Sequence, residues 1–138
     1  MEKIGSCSIV YGEDVETLSF DWGNLKLLSE PKVTGGETMT FGMVVVAPGQ
    51  GHARHNHPNA DEVIFVISGE GEQMLDDQDP VLIRAGASVY IPHGVYHATL
   101  NTGWEPLRLI VVYAPAGEEE VLRALPGVTL VPAGERRA

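Results

Sequence analysis

The sequence predicts an all-β fold, arranged as a sandwich, jelly roll or barrel. Three observations carry this expectation. Short apolar and β-branched segments recur at even spacing along the chain. Turn signals separate them, drawn from 16 glycines and 9 prolines in 138 residues. Only one stretch, near the C-terminus, has helical character.

The strands are expected in this order: 17–20, 25–28, 38–47, 53–57, 62–68, 72–75, 81–83, 88–91, 97–101 and 107–113. Pro48-Gly49-Gln50-Gly51 closes the long third strand, and Pro58-Asn59-Ala60-Asp61 connects the fourth to the fifth. Ser68-Gly69-Glu70-Gly71 and the run from Asp76 to Pro80 are the next two turns. Ala85-Gly86, Pro92-His93-Gly94 and Asn101-Thr102-Gly103 punctuate the rest. The runs Met43-Val44-Val45-Val46 and Val63-Ile64-Phe65-Val66-Ile67 do not alternate cleanly, so both faces of these strands need cover, from a partner sheet, from the chain's own N-terminal strands or from the homodimer interface that is expected. A helix is expected at 118–125. Three glutamates suit its start, Pro126-Gly127 ends it, and Val121, Leu122 and Leu125 form a docking face. The polar tail 133–138 is expected to fray.

Length and composition fit one globular domain spanning 1–138, with 43% hydrophobic and 20% charged residues. The net charge of −10 argues against nucleic acid and anionic membranes as partners. No apolar run approaches the ~18 residues of a membrane span. The N-terminus lacks the pattern of a signal peptide, so a cytoplasmic location is expected. Cys7 is the single cysteine and is read as a packing residue in a reducing compartment.

Chemistry concentrates in His55-Asn56-His57-Pro58-Asn59-Ala60-Asp61-Glu62 and in His97. Side chains two apart on an extended segment share a side, so His55 and His57 converge, and Glu62 opens the next strand beside them. Neutral nitrogens with an anionic oxygen suit a divalent transition metal. The same parity turns Ala53, Ile64, Val66 and Thr99 toward the site and Arg54 and Asn56 away from it. Gln73, Tyr90, Tyr96, Trp104 and Tyr113 are candidates for the mouth of the pocket. His52 and His93 are read as surface or rim residues, and Asn101 as a turn hydrogen bonder.

These residues fall into two patterns. Gly49, His55, His57, Glu62 and Gly69 are spaced like the first motif of the cupin superfamily, within 49–69. Gly86, Pro92, Gly94, His97 and Asn101 resemble the second, within 86–101. Together they span 53 residues, with 16 between Gly69 and Gly86. The resemblance implies a double-stranded β-helix, the jelly-roll barrel of small single-domain RmlC-like cupins, with a short C-terminal helix added here. It implies one divalent ion (Fe, Mn, Ni, Co or Zn) held by His55, His57, Glu62 and His97. Local similarity extends to germin-like and oxalate-handling cupins, through 55–71 and 101–115.

Beyond these ligands, the sequence displays no catalytic triad, acid–base carboxylate pair or phosphate loop. The expected function is a small metalloenzyme acting on a carboxylate, an enol or diketone, or a sugar acid, as a dioxygenase, lyase, decarboxylase or isomerase. The competing expectation is a metal-dependent module that binds or senses a small ligand without turnover.

Overall fold

The computed structural model describes residues 1–135, so residues 136–138 of the polar tail lie outside the described part. Among the described residues the strands are β1 (Glu2–Ile4), β2 (Cys7–Ile9), β3 (Thr17–Phe20), β4 (Gly23–Ser29), β5 (Thr40–Val46), β6 (Asp61–Ser68) and β7 (Glu70–Leu75). They continue as β8 (Val81–Arg84), β9 (Ser88–Ile91), β10 (His97–Leu100), β11 (Leu107–Ala114) and β12 (Thr129–Val131). One α-helix, α1 (Glu118–Arg123), precedes β12. A seven-stranded sheet runs β12-β3-β4-β5-β11-β6-β9, and a three-stranded sheet runs β10-β7-β8. β1 and β2 pair as a separate hairpin. The architecture is the expected all-β jelly roll.

Alternation along the central strands builds the core. Leu107, Leu109, Val111 and Tyr113 of β11 are buried, and the residues between them are not. Their register sets Leu109 against Val66 and Val44, Val111 against Ile64 and Gly42, and Tyr113 against Glu62 and Thr40. Ile83 from the smaller sheet joins the same apolar cluster, so the core lies between the two sheets. Glu62 therefore continues an inward-facing apolar row, and the strand itself delivers its carboxylate to the interior.

Four expectations need correction. The segment 53–57 is not a strand. It runs beside β10 with isolated bridges at Gly51–Leu100 and His55–His97, and Ala53 and Arg54 bulge outward between them. Ala53 is thus exposed and does not face inward. The strands β1, β2 and β12 were not anticipated, because each is only three residues long and carries too little pattern. Cys7 is exposed on the small hairpin, which has no core for it to pack into. In α1, Leu122 is buried and Leu125 packs on the core, but Val121 is exposed, and the helix ends two residues early, at Arg123. Buried Glu118 and Glu119 occupy the inner face instead.

The outward side chains of the central strands stay open. Met43 on β5, Val63, Phe65 and Ile67 on β6 and Tyr90 on β9 are exposed apolar residues on one sheet face. The turn glycines have the conformations their positions demand. Gly69 has φ +88°, and a Cβ there would sit 2.7 Å from the Pro106 carbonyl oxygen.

Candidate metal centre

The fold gathers four side chains from three places. His55 and His57 come from the irregular segment beside β10, Glu62 from the second position of β6, and His97 from the first position of β10. One donor atom from each lies within 4.8 Å of all the others. The backbone bonds His55 N–H to the His97 carbonyl (3.0 Å) and His97 N–H to the His55 carbonyl (2.8 Å), locking the two histidine-bearing segments in register.

Hydrogen bonding fixes which nitrogen each imidazole offers. His55 Nδ1 lies 2.7 Å from the Ala53 carbonyl oxygen, and His97 Nδ1 lies 2.9 Å from that of Val95. His57 Nδ1 lies 2.8 Å from Glu118 Oε2. A carbonyl or carboxylate oxygen can only accept, so each Nδ1 carries a proton, and in the neutral ring each Nε2 keeps its lone pair. His57 Nε2 and His97 Nε2 stand 3.2 and 2.9 Å from Glu62 Oε1. All three atoms are buried, and among the described residues none has a well-formed hydrogen-bond partner. Buried polar atoms without partners that converge on one point fit a divalent cation better than they fit one another.

Electrostatics agree with this geometry. Burial would raise the Glu62 carboxyl, but the facing imidazoles of His57 and His97 outweigh it and hold Glu62 at about 2. Burial, reinforced by neighbouring His52, lowers His55 to about 3 and keeps it neutral. Burial would also lower His57, yet Glu62 and Glu118 raise it above its usual value. Tyr113, edge-on to His57 at 5.0 Å, is pushed well above 10 by burial and then by the two carboxylates, so its hydroxyl keeps its proton.

A cavity of about 50 Å³ opens against His55, Glu62 and His97. Leu25, Val44, Val46, Ile64, Leu109, Val111 and Leu122 supply its apolar walls, with Trp22, Tyr113, Thr99 and His52. Among the described residues, no lysine or arginine lines it. Ile64, Thr99 and Tyr113 therefore stand where the sequence suggests, and buried Val66 lies in the core behind them. Gln73 is buried and accepts a hydrogen bond from Thr99 at 2.6 Å. Tyr90, Tyr96 and Trp104 are exposed and do not line the cavity. His93 is a surface residue bonded to Asp61, as expected.

His52 takes the rim position of the two expected for it, and its ring joins the cluster. Its ring lies 4.0 Å from that of His55 and 5.1 Å from Trp22, and its Nδ1 shares the Ala53 carbonyl at 2.9 Å. The parity argument missed it because the bulge at Ala53 and Arg54 breaks the two-residue repeat. Trp22, Leu122 and Glu118 were also missed. They enter from the β3–β4 turn and from α1, and no local motif links those segments to the histidines.

The model of the Cupin domain family matches residues 42–113. Among curated proteins, Protein SchB of Streptomyces halstedii is 34% identical over 107 residues, covering 78% of this chain and 77% of its own length. Polyketide synthase CurC of Streptomyces cyaneus is 30% identical over 93 residues, covering 67% of this chain and 60% of that protein. Among solved structures, the E162A mutant of Bacillus subtilis oxalate decarboxylase OxdC is 24% identical, with a TM-score of 0.67. That match covers 73% of this chain and 28% of OxdC, and it speaks for the fold. Among the described residues, no helix is long and apolar enough to cross a membrane.

Proposed function

The chain belongs to the cupin family, and from that premise we propose that it is a metal-dependent enzyme acting on a small enol or diketone. The observation that carries this reading is the cavity beside the histidines, which is largely apolar and, among the described residues, lined by no lysine or arginine. A dicarboxylate or an acidic sugar would bring anionic groups into walls that offer no counter-charge. An enol or diketone places one or two oxygens at the cluster and apolar carbon against Leu25, Val44 and Leu109. The name of the relative CurC, a polyketide synthase, supports the same substrate class.

In this reading His55, His57, Glu62 and His97 would hold one divalent ion (Fe, Mn, Ni, Co or Zn), three imidazoles and a carboxylate being a donor set that suits such ions. When bound, such an ion supplies Lewis acidity at a carbonyl or enolate oxygen. The surrounding residues do the rest. Tyr113 offers a protonated hydroxyl at the cavity wall. His52, with Nδ1 tied to Ala53, leaves Nε2 to accept a hydrogen bond from a ligand. The apolar walls exclude water and strengthen both contacts. We further read residues 1–138 as one cupin domain, acting in the cytoplasm as a homodimer that binds neither nucleic acid nor membrane.

The test is to identify the ion in protein purified without added metal, then to assay the chain loaded with that ion. A short-chain 1,3-diketone, its enol ether, oxalate and a uronic acid form the substrate panel. Turnover of the diketone with O₂ consumption selects a dioxygenase, and turnover without it selects a lyase or isomerase. Turnover of oxalate or the uronic acid alone would overturn the substrate class. Saturable binding with no turnover would replace the enzyme by the binding module.

A further inference from the structure

The candidate ligands differ in what stands behind them. His55 and His97 each donate Nδ1–H to a neutral carbonyl two residues earlier in their own segments, those of Ala53 and Val95. His57 instead reaches a carboxylate, Glu118 Oε2 at 2.8 Å, from a helix 61 residues away. Both side chains of that pair are buried. His57 is also the one of the four that does not line the cavity, so it faces the protein and not the substrate space.

The helix that delivers Glu118 is held by other contacts. Six residues cannot sustain a helix alone, so docking fixes the position of α1. Glu119 accepts hydrogen bonds from Thr40 Oγ1 and Gly117 N–H, both at 2.8 Å. Arg123 reaches Glu16 at 2.8 Å and the fully buried Glu30 at 2.6 Å. Leu122, between these anchors, forms part of the cavity wall.

We propose that Glu118 is a positioning residue, which fixes His57 and makes it the strongest donor of the three imidazoles. This inference rests on the reading of the cluster as a metal site. A carboxylate behind an imidazole holds the tautomer and adds electron density at Nε2 more effectively than a neutral carbonyl does. Glu62 and Glu118 together set two negative charges around His57, which balance a divalent cation.

The experiment uses the full chain and Co²⁺. Competition against a chelator gives the affinity, and the visible ligand-field spectrum reports donor strength. Glu118→Gln keeps an acceptor for Nδ1–H and removes the charge. Glu119→Gln disturbs the anchor of the same helix without touching His57. Glu118→Gln is expected to weaken Co²⁺ binding about 10- to 100-fold and to shift the spectrum, while Glu119→Gln leaves both close to those of the unaltered chain. Equal losses in the two variants, or no loss in Glu118→Gln, would overturn the proposal. A second measurement needs no variant. In the Zn²⁺-loaded chain, the His57 Nδ1–H proton should resonate downfield of those of His55 and His97, and the reverse order would also overturn it. If the unaltered chain binds neither ion, the metal reading fails and takes this role with it. Binding with an unchanged Glu118→Gln affinity removes the positioning role alone.

Discussion

Each imidazole at the cluster has its Nδ1 proton committed to an acceptor, which turns Nε2 toward the centre of the cluster, where a cation or a proton can take it up. Without metal, His57 sits between two carboxylates, and its pH response follows from that. The folded value of Glu62, about 2, lies below the ordinary 4.5, so its contribution to stability is present above 4.5 and is lost as pH falls toward 2. The folded value of His57 lies above the ordinary 6.5, so its contribution is full below 6.5 and is lost as pH rises through the folded value. The folded value of His55, about 3, lies below the ordinary 6.5, so its burial makes stability rise with pH up to 6.5, and the metal-free protein should have its highest melting temperature near pH 6.5. Thermal scans across pH in a chelating buffer test this, and a midpoint that climbs steadily above pH 6.5 would contradict it. Asn101 illustrates a residue whose weight is structural. Fully buried, it donates to the carbonyls of Val46 and Glu105 and accepts from Gly103 N–H. Asn101→Ala should cost about 3 kcal/mol by chemical denaturation, since three main-chain groups lose their partner, while metal affinity changes little.

Among the elements, the two that shape the site are the least regular. The segment carrying His55 and His57 follows β10 through two bridges and a bulge, and the bulge turns the Ala53 carbonyl toward both His52 and His55. The second is α1, too short to persist alone and held by charge. Arg123→Met would leave Glu30, with no exposed surface, and Glu16 without their cation. The expected loss is about 3–5 kcal/mol of unfolding free energy, read from urea denaturation, and a change below about 1 kcal/mol would show that the pairing does not hold the helix.

For the molecule as a whole, the seven-stranded sheet leaves Met43, Val63, Phe65 and Ile67 open on its outer face, and the hairpin of β1 and β2 does not cover them. Apolar side chains from adjacent strands on one surface favour association of two copies. Sedimentation should show a dimer at micromolar concentration, and Phe65→Lys, placing a charge in mid-patch, should yield folded monomer. An unaltered chain that sediments as a monomer would remove the homodimer from the account.

Much of the fold and of the site can be read in the sequence, because both depend on local rules. Alternation along β6 and β11, and turns at Gly69 and Gly86, specify strands whatever surrounds them. Parity along an extended segment brought His55 and His57 together beside Glu62, and the resemblance to the two cupin motifs added His97. The tertiary structure alone decided the contacts between segments remote in sequence. Glu118 behind His57, Trp22 and Leu122 in the cavity wall and Arg123 between Glu16 and Glu30 leave no periodic trace, since each pair is joined only by packing. His52 escaped for a related reason. A bulge shifts side-chain parity by one residue, and a hydrogen-bonded partner strand, not composition, determines where that shift falls.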